Sequence, residues 1–261
     1  MKPDYKNWMP KGMVLTAAAV TAVFLLLFIV FGLTGLLYGT LKTVLFVVFL
    51  LGTAVSLAVT IWMLLMYRAF SYNGKRLMSR QIIQGIAEQV RLPAGKCLDV
   101  GCGSGALTIA CARRNPGAEF LGIDRWGKEY ASFNKPLCEA NARAEGVHNA
   151  RFDRGDATAL DFPDESFDAV VSNYVYHNIP VKDRQAVLLE TLRVLKKGGV
   201  FAIHDIFSPA KYGDMQVFLR KLKEMGYQKA ELIDTANGRF MSPRESRWMG
   251  LSGSGLLIGR K

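Results

Sequence analysis

The chain has 261 residues, half of them hydrophobic, and a formal net charge of +11. This length accommodates one sizeable α/β domain with an additional segment. The cysteines form no C-x-x-C pair, which argues against a zinc site and the disulfide framework of a secreted protein, so we expect reduced structural thiols and no metal. These cysteines are Cys97, Cys102, Cys111 and Cys138. The positive charge suits nucleic acid or an anionic lipid surface, and because the sequence has no appended RNA-binding motif we expect no nucleic-acid partner.

Two apolar runs dominate the first part of the chain. They are Val14–Leu37 and Val44–Met66, of 24 and 23 residues, and Lys42 is the only charged residue from the start of the first run to the end of the second. At about 1.5 Å per residue, each run reaches about 35 Å as a helix, enough to cross a hydrocarbon core of about 30 Å. We therefore predict a two-helix transmembrane hairpin in residues 1–67, with its turn at residues 38–43.

Basic residues flank these runs unevenly, because three lysines precede the first run and four basic residues follow the second. They are Lys2, Lys6, Lys11, Arg68, Lys75, Arg76 and Arg80. The positive-inside rule then places both termini and the following domain in the cytoplasm, as expected for an integral protein of the cell membrane. No polar or ionisable residue is expected deep in either run, so we interpret the hairpin as an anchor in the lipid bilayer. A hairpin that enters one leaflet and returns is the alternative.

Residues 68–95 connect the hairpin to the rest of the chain. Their apolar positions have helical spacing, which predicts an amphipathic helix over about residues 68–92. These positions are Leu77, Ile82, Ile83, Ile86 and Val90. Two interpretations are open: the helix lies on lipid headgroups while covering the next domain, or it is a plain packing helix at the domain edge.

From Lys96 to the C terminus, short apolar runs alternate with helical stretches. This alternation predicts an α/β domain over residues 96–261, with a doubly wound, seven-stranded and mainly parallel sheet that binds its ligand at the carboxyl ends of the strands. The predicted strands are Lys96–Val100, Glu119–Ile123, Ala150–Arg154, Phe167–Asn173, Val200–Asp205, Gln228–Ile233 and Gly255–Gly259. The predicted helices are Ala106–Arg113, Trp126–Glu145, Lys182–Val194 and Met215–Met225.

A glycine-rich loop follows the first predicted strand. Gly101, Gly103 and Gly105 have the spacing G-x-G-x-G, which differs from the G-x-G-x-x-G of dinucleotide sites. Glycines here permit a tight turn and a close approach of a ligand to the backbone. Asp99 lies two residues before the loop, where a carboxylate suits an ammonium group and repels a pyrophosphate.

Two further carboxylates follow the next two predicted strands. Asp124 lies 23 residues after Gly101, at the position from which an acidic side chain bonds ribose hydroxyls. Asp156 follows the third strand. Together with Asp99, these side chains are expected along one edge of the sheet.

These motifs resemble those of class I S-adenosylmethionine-dependent methyltransferases, most closely the quinone and small-molecule methyltransferases, over about residues 96–261. The resemblance implies S-adenosylmethionine as cofactor and S-adenosylhomocysteine as product. It places the methionyl end on Asp99 and the glycine loop, and the ribose on Asp124. It places the adenine amino group at Asp156 and Ala157, with Arg125 or Trp126 near the face of the ring. The implied cofactor-binding residues are Asp99, Gly101, Cys102, Gly103, Gly105, Asp124, Arg125, Trp126, Asp156, Ala157 and Asn173. The segment Arg193–Gly199 looks like the family's turn before the fifth strand, whereas the membrane spans are outside the usual family pattern.

Aromatic and polar residues follow the fourth predicted strand. His177 is the main candidate for a proton acceptor, because the reference pKa of histidine is near neutrality, and a packing or orienting role is its alternative. Tyr174 is a second catalytic candidate. His204 and Asp205 close the fifth strand and are placed to face the acceptor pocket, and the alternative for His204 is a histidine hydrogen-bonded beneath the following loop. Residues 240–253 carry basic side chains and a tryptophan, which suit an anionic head group, the membrane or a solvated loop.

The main functional hypothesis is methyl transfer to a lipophilic or amphipathic acceptor at the cytoplasmic leaflet, because a water-soluble acceptor would not require two spans. One alternative is a membrane-tethered methyltransferase of a small soluble molecule or a membrane protein. Another is a non-catalytic sensor or scaffold that binds S-adenosylmethionine. The sequence does not identify the acceptor, since this fold serves very many acceptors with one cofactor site.

Overall fold

The computed structural model describes residues 2–127 and 132–261. The chain forms two compact units. The hairpin unit is Asn7–Ser79, and the sheet unit consists of Met1–Lys6 together with Arg80–Lys261. The first six residues therefore belong with the sheet unit, whereas the predicted division grouped them with the hairpin in residues 1–67. The sequence held no signal for this, because Asp4 and Tyr5 make their contacts far along the chain, with Asn141 and Glu145.

The hairpin unit contains two helices that are long and apolar enough to cross a membrane, as judged by length and composition. They are α1 (Lys11–Leu27) with a π-helical continuation (Phe28–Leu33), and α2 (Gly39–Ala69). The turn lies at residues 34–38, earlier than the predicted residues 38–43. The turn was predicted too late because Leu36 is apolar and was therefore assigned to the first run, although it belongs to the turn. Gly39 has a left-handed φ of 67° at the start of α2.

The two long helices pack against each other through a glycine, aromatic rings and hydroxyl groups. A Cβ atom on Gly52 would lie 2.4 Å from Cδ1 of Phe24, so the glycine lets this ring approach the backbone of α2. The hydroxyl oxygens of Thr21 and Thr60 are 2.9 Å apart and hydrogen-bond across the hairpin. The expectation that no polar group lies deep in the apolar runs was therefore wrong. The paired hydroxyls satisfy each other, and such bonds hold helices together in an apolar environment.

The connecting segment is less helical than predicted. Instead of one helix over residues 68–92, α2 ends at Ala69 and α3 spans only Met78–Ala87. The break includes Leu77, whose φ of 52° is incompatible with a continuous helix. Within α3 the isoleucines at positions 82 and 86 are fully buried, which favours the interpretation of a packing helix.

The sheet unit has the predicted α/β architecture, with a seven-stranded sheet in the described residues. Its strands are β1 (Gly95–Val100), β2 (Ala118–Asp124), β3 (Ala150–Arg154), β4 (Phe167–Asn173), β5 (Leu195–Ile206), β6 (Lys229–Asp234) and β7 (Ser254–Arg260). Its helices after α3 are α4 (Ala106–Arg114), α5 (Lys135–Ala144), α6 (Arg184–Arg193), α7 (Pro209–Tyr212), α8 (Met215–Glu224) and α9 (Pro243–Trp248).

The strand order is β3-β2-β1-β4-β5-β7-β6, and β7 alone runs antiparallel to its neighbours among these strands. The order reverses between β1 and β4, since the chain adds β2 and β3 on one side and then returns to the other. Ligands of doubly wound sheets bind at such a reversal, beside the carboxyl ends of the strands. The topology therefore places the candidate site at the ends of β1 and β4.

Strand β5 differs from its prediction because it begins at Leu195 rather than Val200. Most of the segment predicted as a turn, from Leu195 to Gly199, lies inside the strand, and the pairing with β4 shifts between Phe167 and Ala169. Gly198 has a φ of 77° at this irregularity. The glycines thus mark a bulge within a long strand, because β5 has extra residues between Leu195 and Val200 and still pairs with β4 on both sides of them.

Helix α5 begins at Lys135, later than the predicted start at Trp126. The side chain of Asn134 caps it by accepting a hydrogen bond from the backbone of Leu137, and a proline occupies its first turn. Residues 128–131 of the predicted helix lie outside the described residues. The sequence analysis did not predict α7, α9 or the 3₁₀ turn at Tyr176–Asn178, because each is too short to show apolar periodicity.

Candidate active site

The glycine loop folds back against the end of β2. The backbone N–H groups of Gly101 and Cys102 both donate to the carbonyl of Ile123, at 2.8 and 2.9 Å. Gly101 has a φ of 76°, and a Cβ atom there would lie 2.2 Å from Cγ2 of Val175. Glycine is therefore required at position 101 both by the backbone conformation and by contact with the segment after β4. This contact brings the loop and the candidate acceptor segment together.

Asp99 presents a buried carboxylate beneath the loop. Its side chain is 1% exposed, and Oδ2 accepts a hydrogen bond of 2.6 Å from the hydroxyl of Thr108 on α4. Its Oδ1 has no hydrogen-bond partner among the described residues. Burial raises the pKa of Asp99 to about 7, against the hydrogen bond from Thr108, and the charge of Asp124 adds to the rise. A buried acceptor atom without a donor is costly, and an ammonium group would satisfy it, so the site fits the amino end of S-adenosylmethionine.

Asp124, at the end of β2, holds the loop in place. Its Oδ2 accepts from the backbone N–H of Gly103 at 2.9 Å, and its Oδ1 accepts from that of Trp126 at 2.7 Å. The indole N–H of Trp126 in turn donates to the carbonyl of Gly103 at 2.9 Å. Trp126 takes a φ of 46°, which is unusual for a bulky residue. Each carboxylate oxygen has a further lone pair for a ribose hydroxyl, so the predicted contact with the ribose is compatible with this second, structural task.

The third carboxylate, Asp156, lies at the same edge of the sheet. The backbone N–H of Gly155 donates to the carbonyl of Asp124 at 3.1 Å, which ties the end of β3 to the end of β2. Oδ1 of Asp156 accepts from the backbone and hydroxyl of Thr158, at 2.8 and 2.7 Å, and these bonds lower the pKa of Asp156 with help from the positive charge of Arg125. The structure thus brings the predicted adenine-binding residues together, with Ala157 partly buried beside them.

His177 and Asp205 form a hydrogen-bonded pair after the ends of β4 and β5. Nδ1 of His177 is 2.5 Å from Oδ1 of Asp205, whose side chain is fully buried. Oδ2 of Asp205 also accepts from the backbone N–H groups of Tyr176 and His177, at 2.7 and 3.2 Å. The imidazole is 13% exposed. With Nδ1 engaged by the carboxylate, Nε2 is the ring nitrogen left to accept a proton, which is the arrangement of an oriented general base.

His204 lies beneath this segment and is fully buried. Its Nδ1 is 2.9 Å from Oδ1 of Asn173, and its Nε2 is 2.8 Å from the hydroxyl of Thr235. Burial lowers the pKa of His204 to about 3, so the ring is neutral at physiological pH. Because both ring nitrogens have partners, the geometry favours the hydrogen-bonded alternative for His204 over contact with an acceptor.

Tyr174 joins these groups from the end of β4. Its hydroxyl is 2.8 Å from that of Ser254, and its ring lies edge-on to His204 with centroids 4.6 Å apart. The φ of Tyr174 is 55°, and burial raises the pKa of its hydroxyl, so the phenol remains protonated. A bulky residue held in the left-handed region is a strained element of the kind found at binding sites.

Several residues of the site were not singled out from the sequence as site residues. Thr108 and Asn141 lie on helices, and Thr235 and Ser254 lie at strand ends that only the folded sheet brings beneath Tyr174 and His204. Asp205 was expected to close the fifth strand and face the acceptor pocket, but its pairing with His177 was not predicted, although the carboxyl ends of the parallel neighbours β4 and β5 meet at one edge. Across residues 2–127 and 132–261, no group of three or more His, Cys, Asp or Glu side chains could hold a metal ion.

Comparison with known proteins agrees with this geometry. The family model of a methyltransferase domain matches residues 98–203, from β1 into β5. The demethylmenaquinone methyltransferase of Geobacillus stearothermophilus is 34% identical over 124 residues, which cover 47% of this chain and 50% of that protein. The 2-phytyl-1,4-naphtoquinone methyltransferase of Synechococcus elongatus is 33% identical over 156 residues, covering 57% of this chain and 62% of that protein. The chain thus matches about half to three-fifths of the length of these curated relatives.

Two solved structures share the fold. The crystal structure of the cyclase SpnF has a TM-score of 0.54 at 20% identity, covering 73% of this chain and 85% of that chain. A geranyl diphosphate methyltransferase in complex with GPP and sinefungin has a TM-score of 0.50 at 14% identity, covering 70% of this chain and 77% of that chain. Because the identities are low and one neighbour is a cyclase, these likenesses show the fold and not the reaction.

The matched segment contains the glycine loop, the carboxylates that end β1 and β2, and the partner strand β4. The family match and the orphaned oxygen of Asp99 both point to the same cofactor. The segment from β1 to β5 is therefore a class I S-adenosylmethionine-dependent methyltransferase domain, with S-adenosylmethionine as its cofactor.

Proposed function

We propose that the chain is a membrane-anchored methyltransferase that methylates a lipophilic acceptor of the quinone type at the cytoplasmic leaflet. The proposal rests mainly on the meeting of two sets of groups at the ends of β1 and β4. One set is the loop with the orphaned Oδ1 of Asp99, and the other is the His177–Asp205 pair. The close contact between Gly101 and Val175 joins them. The names of the two curated relatives, which both methylate quinones, support the class of acceptor.

The part of the site that binds the cofactor, here called the cofactor half, requires binding and alignment more than acid–base chemistry. S-adenosylmethionine supplies a methyl group that is already activated on a sulfonium centre. Asp99 binds the ammonium group through its free oxygen, while Asp124 binds the ribose and keeps Gly103 and Trp126 in place. These residues hold the cofactor in a fixed position beside the acceptor and exclude water. A preorganised site accelerates methyl transfer mainly by this alignment and exclusion of water.

The part of the site that contains the His177–Asp205 pair, here called the acceptor half, supplies a base. A quinone has no phenolic hydroxyl, so the acceptor that we propose is the reduced quinol. Methylation of its hydroxyl oxygen would break the S–CH3 bond of the cofactor, form an O–CH3 bond and release the phenolic proton, which Nε2 of His177 accepts. Asp205 keeps the ring in the required tautomer through Nδ1 and stabilises the imidazolium that results. His204 and Tyr174 support this segment without exchanging protons at neutral pH. The pKa of His204 is about 3, so its ring stays neutral, and burial raises the pKa of Tyr174, so its phenol stays protonated.

The hairpin unit brings the enzyme to its acceptor. Its two apolar helices suit a bilayer by length and composition, and their flanking basic residues favour a cytoplasmic location of both chain ends. A lipophilic acceptor is concentrated in the bilayer, so anchoring raises its concentration near the site. A lipophilic acceptor therefore explains why the enzyme has two spans, whereas a soluble acceptor would not require them.

The test measures where a labelled methyl group goes. Full-length protein in lipid nanodiscs is incubated with methyl-labelled S-adenosylmethionine and, in parallel, with a chemically reduced naphthoquinone bearing a lipid tail, a membrane-lipid extract and a soluble metabolite extract. Label in the organic phase, above all on the quinol, supports the proposal. Label in the aqueous phase alone contradicts it in favour of a soluble acceptor. Cofactor binding without transfer to any of the three contradicts it in favour of the sensor alternative or a protein acceptor.

Matched variants control this experiment. Asp124→Ala removes a carboxylate at the end of β2, and Asp234→Ala removes one at the end of β6, on the far edge of the sheet. We expect Asp124→Ala to lose S-adenosylmethionine binding and Asp234→Ala to keep it. Equal affinity of Asp124→Ala and the wild type, measured by titration calorimetry, would refute the assignment of the cofactor site.

A further inference from the structure

The N-terminal segment Lys2–Lys6, here called the strap, lies against α5. The backbone N–H of Asp4 donates to Oδ1 of Asn141 at 2.7 Å, and Nδ2 of Asn141 donates back to the carbonyl of Asp4 at 3.0 Å. The next residue, Tyr5, is 4% exposed, and its hydroxyl donates to Oε1 of Glu145 at 3.3 Å. The strap is therefore fixed at two successive positions, although 137 residues separate Asp4 from Asn141.

The same face of α5 holds the glycine loop. Nδ2 of Asn141 also donates to the carbonyl of Ser104 at 3.0 Å, and Sγ of Cys138 donates to the carbonyl of Gly103 at 3.2 Å. Cys138, Asn141 and Glu145 are spaced by three and four residues, which places them on one side of a helix. Asn141 is 2% exposed, so its amide depends on protein partners.

The carboxamide of Asn141 is thus shared between the strap and the loop. It offers two N–H donors and one oxygen acceptor. One donor serves the loop, while the other donor and the oxygen form the two-way pair with the backbone of Asp4. This pair sets the plane of the carboxamide, and the plane determines whether the remaining N–H points at the carbonyl of Ser104.

We propose that the strap is a positioning element of the cofactor site: by fixing Asn141, it holds residues 103–105 in the conformation that binds S-adenosylmethionine. This inference rests on the proposed function, since it takes the loop as the cofactor site. It gives the residues that precede the first span a task inside the catalytic domain. A truncated protein that begins after the spans would lack the strap and would bind the cofactor weakly for that reason alone.

The experiment compares the affinity of full-length variants for S-adenosylmethionine by titration calorimetry, without any acceptor. Deletion of residues 2–5 and Asn141→Asp are each expected to raise Kd roughly tenfold, because a buried hydrogen-bonding network loses its partners. Asp4→Pro removes the N–H donor to Asn141 together with the carboxylate that bonds Lys6, and it changes no residue of α5 or of the loop. A smaller rise of about threefold is therefore expected. Arg143→Gln changes an exposed residue on the same helix and should keep the wild-type Kd.

Two further measurements separate positioning from general stability. Amide hydrogen exchange at residues 103–105 should become faster in the deletion variant, while exchange in β5 should not change. With a methyl acceptor present, KM for S-adenosylmethionine should rise while kcat at saturating cofactor stays within about twofold, because Asp4 and Tyr5 hydrogen-bond to Asn141 and Glu145 and the proposed effect passes through the cofactor loop.

Each outcome decides the inference. A folded deletion variant with wild-type Kd and wild-type exchange in the loop would overturn it. If the deletion and Asn141→Asp unfold the domain, Asp4→Pro decides, and a wild-type Kd in that variant overturns the inference. Failure of the wild type itself to bind S-adenosylmethionine overturns the proposed function, and the role of the strap with it. If the wild type binds S-adenosylmethionine and no strap variant weakens this binding, only the proposed role of the strap is overturned.

Discussion

At the scale of single residues, Asp99 carries a cost in stability at the position that we propose binds the ammonium group of the cofactor. Its pKa of about 7 in the folded chain lies above the ordinary value of 3.8, chiefly because of burial. The folded state therefore binds more protons than the unfolded state between these two values, so the contribution of Asp99 to stability falls as pH rises from about 4 to about 7 and stays low above that. A carboxylate that is buried at a cost in stability is expected to have a function, such as binding a ligand.

We therefore predict opposite effects of Asp99→Asn on stability and on binding. The neutral amide avoids a buried charge and can still accept from Thr108, so the Tm of the ligand-free variant should exceed that of the wild type by several degrees at pH 8 and much less at pH 5. Affinity for S-adenosylmethionine should fall at least tenfold, since the ammonium loses its counter-charge. Thermal scans at both pH values check the first part and calorimetry the second. An equal change in Tm at pH 5 and pH 8 would contradict the account.

The His177–Asp205 pair makes a separate prediction about catalysis. His177→Gln should lower kcat by about 10²–10⁴-fold, because it removes the base, while Kd for S-adenosylmethionine stays within about twofold. His148→Gln, at an exposed position, is the matched control. Steady-state kinetics with a quinol acceptor provide the measurement, and an unchanged kcat in His177→Gln would rule out its role as base.

At the scale of elements, the contact between the glycine loop and the segment after β4 can be separated from backbone strain. Gly101 and Gly198 have nearly identical φ values of 76° and 77°. A Cβ atom would meet Val175 at 2.2 Å in the first case and nothing within 4 Å in the second. Alanine at either position costs about 1–2 kcal/mol of conformational strain. The difference between the two variants therefore reports the collision with Val175.

We expect Gly198→Ala to lower Tm moderately and to leave cofactor affinity unchanged. Gly101→Ala should lower Tm further and reduce affinity for S-adenosylmethionine at least tenfold, and adding Val175→Ala should restore part of that affinity. Differential scanning fluorimetry and calorimetry on the three variants measure both effects. Equal losses in Gly101→Ala and Gly198→Ala would mean that the contact with Val175 has no role in binding.

The elements themselves were predictable to the extent that local pattern encodes them. β3 and β4 have the predicted bounds, because short apolar runs between polar turns are characteristic of buried strands. The start of α5 was misplaced, although Asn134 and the following proline are a capping signal that the sequence contains. The bulge in β5 could not be predicted, since only the pairing with β4 shows that the chain continues as a strand across Gly198.

At the scale of the whole molecule, the membrane topology of the hairpin is open to a direct test. The four native cysteines are buried, so a maleimide reagent that cannot cross membranes has little background on the folded chain. Leu36 lies in the turn and is 64% exposed, and Arg143 is an exposed position in the sheet unit. In intact cells we expect Leu36→Cys to be labelled from outside and Arg143→Cys to be labelled only after permeabilisation. If neither is labelled before permeabilisation, the hairpin enters one leaflet and returns.

The two apolar runs, the alternating α/β pattern and the cofactor motif from Asp99 to Asp124 can all be predicted from the amino-acid sequence. Hydrophobic periodicity, glycine spacing and strand-end carboxylates are local properties, and each is visible within a few residues. The hydrogen bond between Asp205 and His177, the enclosure of His204 by Asn173 and Thr235, and the contact of the strap with Asn141 are visible only in the folded chain. These pairs join residues 28 to 137 positions apart, and their geometry depends on strand order and helix packing, which no local pattern specifies.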